Sequence, residues 1–285
     1  MRLGEILDGS FNIYRRHFGL FMKLSIALVW LPTAAAIYFQ VRYSNTPFEL
    51  LTLVEANAGT SVLIGLLYIV VLTTVGLLLK ASTIRVISDS YLGQEPQFGR
   101  ALQFAVSKIG SLLVVALSKS LLLILVLGAG AAVIALMFFV GKFVGLGGLL
   151  VFVGVIGLGW LWVWVACGYG TTTPIVVLED LDSSFDAFGR SWELTRGTRG
   201  KVFGTAVVAW LISQFLPQMV VGGVSGALGL VGNTSLQSLF VVLASLMGIV
   251  LAPILPCAIT LLYYDLRVRR EAFDLQILSE QMGTR

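Results

Sequence analysis

Long apolar runs alternate with short charged clusters along this 285-residue chain. A membrane-crossing helix needs about 20 mostly apolar residues. Runs of that kind lie at 24–40, 61–83, 112–139, 149–170, 203–221 and 237–264. The pattern predicts an all-α polytopic membrane protein with six transmembrane helices. Pro32 falls in the first run, and Pro253 and Pro256 in the last, where they predict a bend.

Ahead of every second run the spacing changes to that of an amphipathic helix. Leu7, Phe11, Tyr14, Phe18 and Phe21 share one predicted face; Phe98, Ala101, Leu102, Ala105 and Ile109 share a second; Phe185, Phe188 and Trp192 share a third. Phe11, Phe98 and Phe185 recur at a constant interval of 87 residues, each preceded at the same offset by an acid, Asp8, Glu95 or Asp182. The second, fourth and sixth runs also end alike, in STIRVISDSYLG, TTTPIVVLEDLD and ITLLYYDLRVRRE. These recurrences predict a unit of one amphipathic interfacial helix plus a two-helix hairpin, repeated three times at approximately 5–85, 92–172 and 179–265. The whole chain, 1–285, is then a single membrane domain with a tail at 266–285. Each unit crosses an even number of times, so all three keep one orientation about an axis along the membrane normal.

Composition supports lipid as the solvent. The chain is 57% hydrophobic and 12% charged, against about 45–50% and about 25% in soluble domains. Net charge is +4, but its distribution says more. Segments 41–60 and 141–148 carry one basic residue each, Arg42 and Lys142, and 222–236 carries none; the intervening segments carry nearly all the rest. The positive-inside rule then places both termini in the cytoplasm. The N-terminal twenty residues are amphipathic, unlike a signal peptide, so the first apolar run is expected to stay as a span. Cys167 and Cys257 both lie inside apolar runs, and His17 is the only histidine. A disulfide framework, a zinc centre and a histidine triad are therefore not expected, and no cofactor is implied.

The most distinctive charged segment is 179–201, in which Glu179, Asp180, Asp182 and Asp186 precede Arg190, Arg196, Arg199 and Lys201. Acids first and bases last suit a helix macrodipole, and Ser183 with Asp186 suits a capping box. The simple reading is a capped interfacial helix; the functional one is a surface for lipid headgroups or a partner. With Arg15, Arg16, Arg267, Arg269 and Arg270, the bases Arg190, Arg196, Arg199 and Lys201 are expected to form a basic rim at the inner leaflet. Gly197–Lys201 lacks the spacing of a phosphate loop. Lys119, Gln214 and Gln218 are the candidates for a polar site within the membrane, although Lys119 sits where it could equally snorkel to the interface. Trp160 and Trp164 share a face, for which packing between helices or contact with a ligand tail is expected. Gly154, Gly157, Gly159, Gly168 and Gly170 would let helices approach closely.

LGEILDGSFNIYRRHFG, TTTPIVVLEDLDSSFDAFGRSWELTRGTRGKVFG and LYYDLRVRREAFDLQIL together resemble a bacterial membrane-domain family. That family is found fused to glycerophosphoryl diester phosphodiesterases and also occurs as stand-alone membrane proteins. The resemblance spans nearly the whole chain and implies a multi-helix domain of the bacterial inner membrane. The phosphodiesterase barrel is absent, so no catalytic residue carries over. The spans hold no paired acids and no nucleophile–base pair. Asp182 or Asp186 with Asp265 is the strongest acid pair that tertiary contact could assemble. The expected function is that of a non-catalytic accessory or scaffold protein that binds lipid, anionic lipid included, or another membrane protein; a carrier for a small or amphiphilic solute is the alternative. No nucleic-acid partner is expected.

Overall fold

The structure, a computed structural model, describes residues 3–43, 57–144, 146–230 and 234–271. Glu49 and Glu55 of the expected first external loop, and the tail beyond 271, lie outside the described residues. Among those residues every regular element is helical: α1 Leu3–Arg16, α2 Phe18–Tyr43, α3 Ala58–Tyr91, α4 Phe98–Ser107, α5 Ile109–Val144, α6 Gly147–Gly168, α7 Thr172–Leu178, α8 Asp186–Thr195, α9 Arg199–Trp210, a π-helical turn Leu211–Phe215, α10 Leu216–Leu230, α11 Thr234–Leu251 and α12 Ile254–Glu271.

Six stretches are long and apolar enough to cross a membrane: Phe18–Phe39, Ala58–Tyr91, Ile109–Lys142, Gly147–Leu178, Arg199–Val224 and Leu239–Glu271. They coincide with the six apolar runs and extend beyond most of their ends. In the most apolar windows of the third and fourth stretches none of the residues is buried. Leu63, Ile124 and Trp160 are 68%, 63% and 75% exposed. Large side chains laid open over such lengths are stable only in hydrocarbon, which makes this a multi-pass membrane protein.

The chain divides into two compact units, Met1–Ile109 with Thr205–Leu261, and Gly110–Gly204 with Leu262–Arg285. In the first unit the core consists of Ile6, Phe21, Leu24, Ala81, Ile84 and Ile87. In the second it consists of Ile175, Val177, Leu194, Val202, Leu262 and Tyr263. The three recurring helix ends are all buried, with Ala81–Ile84 and Val86–Asp89 on α3, Pro174–Val177 on α7 and Thr260–Leu266 on α12. These helix ends are buried, whereas the most apolar windows of the long helices are mostly unburied.

The short helices α1, α4 and α8 precede the first, third and fifth long helices. Their buried faces match the faces read from the sequence at Tyr14, with Phe21 beyond it on α2, and at Ala101 and Ala105, and differ on α8. Ile6, Ser10 and Tyr14 are buried on α1, Ala101 and Ala105 on α4, and Ala187, Ser191, Leu194 and Thr195 on α8, whereas Phe18 and Phe185 are 45% and 60% exposed. Small side chains let these helices sit close to the long ones. The rings of Phe18 and Phe185 remain at the edge, whereas Tyr14 and Phe21 are buried.

Candidate functional site

Four of the nine residues of the expected basic rim, Arg190, Lys201, Arg267 and Arg269, are held by carboxylates. In the second unit, Glu179 receives the Arg190 Nε at 3.0 Å and the Tyr263 hydroxyl at 2.6 Å, with the Arg267 Nε 3.9 Å away. Arg190 and Arg267 also pair with Glu271, the latter at 3.1 Å. Asp265, whose side chain is 4% exposed, is held by Lys201 and by Arg269 at 3.1 Å. Arg270 donates to the main-chain carbonyl of Arg196 and so ties down the turn between α8 and α9. Arg15 and Arg16 end α1, exposed, where a helix dipole favours positive charge. Asp186 accepts from the Ser183 amide at 2.9 Å, one half of the expected capping box. Asp186 and Asp265 therefore have separate partners, and Asp182 is exposed.

Arg199 differs from all of these. Its guanidinium carbon lies 3.7 Å from the Trp164 ring centroid and 3.9 Å from that of Trp192. The two indoles meet edge to face, their centroids 4.9 Å apart and their planes at 86°, so the cation occupies the corner they form. Cation–π contacts of this kind contribute about 0.5–2 kcal/mol each. The Arg199 Nε is buried without a hydrogen-bond partner, and among the described residues no carboxylate pairs with the side chain.

The scaffold around this corner is tightly specified. Ser191 and Thr195 donate to the Gly168 carbonyl at 2.8 and 3.2 Å, and Thr171 meets Ser191 at 2.9 Å. These bonds seat α8 on the end of α6. A Cβ at Gly168 would stand 2.6 Å from the Trp192 ring, so only glycine leaves room for it. Gly197, at φ 79°, makes the turn into α9. Gly170 likewise faces Val202 at 2.9 Å, and Gly154 faces Ile134 at 3.0 Å, but Gly157 and Gly159 meet nothing within 4 Å.

Two hollows meet at Arg199. A polar one of about 610 Å³ is lined by Trp164, Trp192, Arg196, Gly197, Arg199 and Gly200. An apolar one of about 380 Å³ is lined by Ile156, Trp160, Val163, Trp164 and Phe203 among others, and shares Arg199 and Gly200 with the first. Trp160, for which packing was expected, instead forms part of an open groove wall. Arg199 and Gly200 stand in the first turn of α9, where main-chain amides lack intrahelical acceptors.

The expected intramembrane polar residues separate. Lys119 donates to the Tyr169 carbonyl just past the end of α6. Gln214 and Gln218 line a different cavity, of about 490 Å³, in the first unit. Its wall includes Lys80, Tyr68, Thr33 and Ser245, which the sequence did not mark as site residues. Lys80 falls inside the second apolar run, 61–83, and was not singled out there. Its periodicity was the missed signal: Tyr68, Leu72, Gly76 and Lys80 are spaced four apart on α3 and all line this cavity.

His17 lies between α1 and α2, its Nε2 3.1 Å from the Ser90 hydroxyl. Burial, and secondarily Arg16, hold it below its ordinary value. No cluster of metal-ligating side chains occurs among the described residues. No protein family, curated protein or solved structure matches the chain.

Proposed function

We propose that the protein is a non-catalytic accessory membrane protein that binds an anionic phospholipid at Arg199. The observation that carries this reading is a guanidinium stacked in a tryptophan corner, without a carboxylate, at the junction of a basic hollow and an apolar groove. An anionic phospholipid has the matching shape. Its phosphate accepts from Arg199, Arg196 and the first amides of α9, which favours an anion. Its acyl chain lies along Ile156, Trp160, Val163 and Phe203. The stack leaves the guanidinium edge free to donate and fixes its direction, a task a flexible ammonium would perform less well.

The positive-inside bias of the basic residues supports a reading in which the site faces the cytoplasmic leaflet, both termini are cytoplasmic and the membrane is a bacterial inner membrane. The resemblance of the motifs to phosphodiesterase-associated membrane domains supports the same reading, and a threefold repeat of interfacial helix and hairpin belongs to it. Topology reporters placed after Arg285 and near Asp182 are expected to read cytoplasmic, and those near Ala58 and Ser235 external. A cytoplasmic signal at Ser235 would contradict the six-span arrangement.

The binding reading is tested by native mass spectrometry of protein released from phosphatidylglycerol/phosphatidylcholine nanodiscs. The wild type is expected to retain phosphatidylglycerol, and Arg199→Leu to lose about tenfold of that affinity, the scale of a hydrogen bond to a charged group. Equal retention of the two lipids by the wild type would contradict it.

A further inference from the structure

The cavity of the first unit is a second site, with a chemistry of its own. Four of the apolar spans contribute to its wall; two of them depart from regular helix there, and a third carries a proline. The first carries Pro32 in its interior, and the Tyr68 hydroxyl donates to the Pro32 carbonyl at 3.3 Å. The fifth carries the π-helical turn Leu211–Phe215, which contains Gln214. The sixth is interrupted between α11, ending at Leu251, and α12, starting at Ile254. Pro253 lacks the amide that would meet the Ile249 carbonyl, and both Ile249 and Ala252 line the cavity. Irregular backbone at membrane depth is tolerated where it faces a cavity. Two helix irregularities and an internal proline at one hollow mark it as built for an occupant.

The charge at the wall says what that occupant is. Lys80 lines the hollow with its side chain open to it, and among the described residues no carboxylate lies in the wall. An ammonium group within a span is costly unless an anion or water meets it. Gln214 and Gln218 add amide donors. Leu255 and Pro256, in the first turn of the 18-residue helix α12, add the positive end of its dipole. Ser245 donates to the Val241 carbonyl at 2.9 Å and leaves its oxygen as an acceptor. Apart from Thr33 and Tyr68, the remaining wall is largely aliphatic, with Val29, Leu72, Val75 and Leu79 among its members.

We infer that this cavity binds the anionic head of a single-chain amphiphile, a carboxylate or a phosphate monoester, through Lys80, Gln214 and Gln218, with the chain along the aliphatic wall. The site is independent of Arg199.

The test uses the full-length protein in phosphatidylcholine nanodiscs, titrated calorimetrically with decanoate, acetate and decyltrimethylammonium. Decanoate is expected to bind, acetate at least about tenfold more weakly, and the cationic amphiphile without saturation. Lys80→Met is expected to weaken decanoate binding by about tenfold or more, and Lys80→Arg to keep it within about threefold. Unchanged thermal melting of both variants shows that folding is intact; where Lys80→Met melts early, the paired Gln214→Leu and Gln218→Leu variant replaces it, with the same loss expected. Arg199→Leu is expected to leave decanoate binding unchanged. The inference is overturned by equal binding of decanoate and decyltrimethylammonium, by acetate binding as tightly as decanoate, by wild-type affinity in folded Lys80→Met, or by a loss of decanoate binding in Arg199→Leu alone.

Discussion

Two sets of cations in the second unit, within a short stretch of chain, have opposite surroundings. Arg190, Lys201, Arg267 and Arg269 each face a carboxylate of Glu179, Asp265 or Glu271. Arg199 faces two indoles and has no carboxylate partner among the described residues. The paired set closes a buried electrostatic network, so its charges are spent within the protein. In the reading proposed above, the stacked arginine keeps its charge for an anionic lipid. The basic cluster is not one surface: four of its members are held by carboxylates and Arg199 is stacked on indoles, and only the packing shows which is which.

The largest effect should come from breaking the paired set. Asp265→Ala leaves Lys201 without its buried partner, and removal of one member of a buried pair costs about 3–5 kcal/mol. Equilibrium unfolding in mixed micelles is expected to show that loss. A change below about 1 kcal/mol, the level of a surface ion pair, would erase the contrast between the two sets.

Gly168→Ala sharpens the same comparison from the other side. It forces the Trp192 ring away from the end of α6 and is expected to cost about 1–3 kcal/mol. Because Trp192 forms half of the Arg199 corner, near-UV circular dichroism of the tryptophans and phosphatidylglycerol binding should change together. Loss of stability with binding intact would show that the corner does not position the guanidinium.

The smallest effect concerns His17, a group that belongs to neither set. Burial and Arg16 depress its folded value below the ordinary 6.5, so the folded protein favours the neutral ring. The stability tied to that ring is complete above the ordinary value and is lost as pH falls from there toward the folded value. Melting temperature should decline over that interval in the wild type and decline less in His17→Gln. Parallel profiles would mean that His17 does not contribute.

Apolar periodicity made all six spans legible, because a long lipid-facing run leaves a signal that no packing detail can hide. The basic residues were legible only as a group. Arg199 and Arg267 have the same composition and similar neighbours in sequence, and what separates them is contact with Trp164 and Trp192 in one case and Glu179 in the other. The buried face of α4 was legible in Ala101 and Ala105, but that of α8 was read one position round, because Phe188 and Trp192 suggested burial where Ala187 and Ser191 pack instead. Lys80 was hidden by its position near a charged cluster, although its four-residue spacing with Gly76, Leu72 and Tyr68 was present in the chain. Gln214 and Gln218 were visible as polar residues in an apolar run. Their partner was not, since Lys119 lay in a similar setting and the structure gives it the Tyr169 carbonyl.

The most direct measurement compares Arg199→Leu with Arg267→Gln in the same phosphatidylglycerol/phosphatidylcholine nanodiscs, reading bound lipid by native mass spectrometry. Arg199→Leu should lose about tenfold in phosphatidylglycerol affinity, beside the stability of about 0.5–2 kcal/mol that each of its two cation–π contacts contributes. Arg267→Gln should lose stability and keep the lipid. If both variants retain phosphatidylglycerol equally, or if Arg267→Gln alone releases it, Arg199 is not the lipid site.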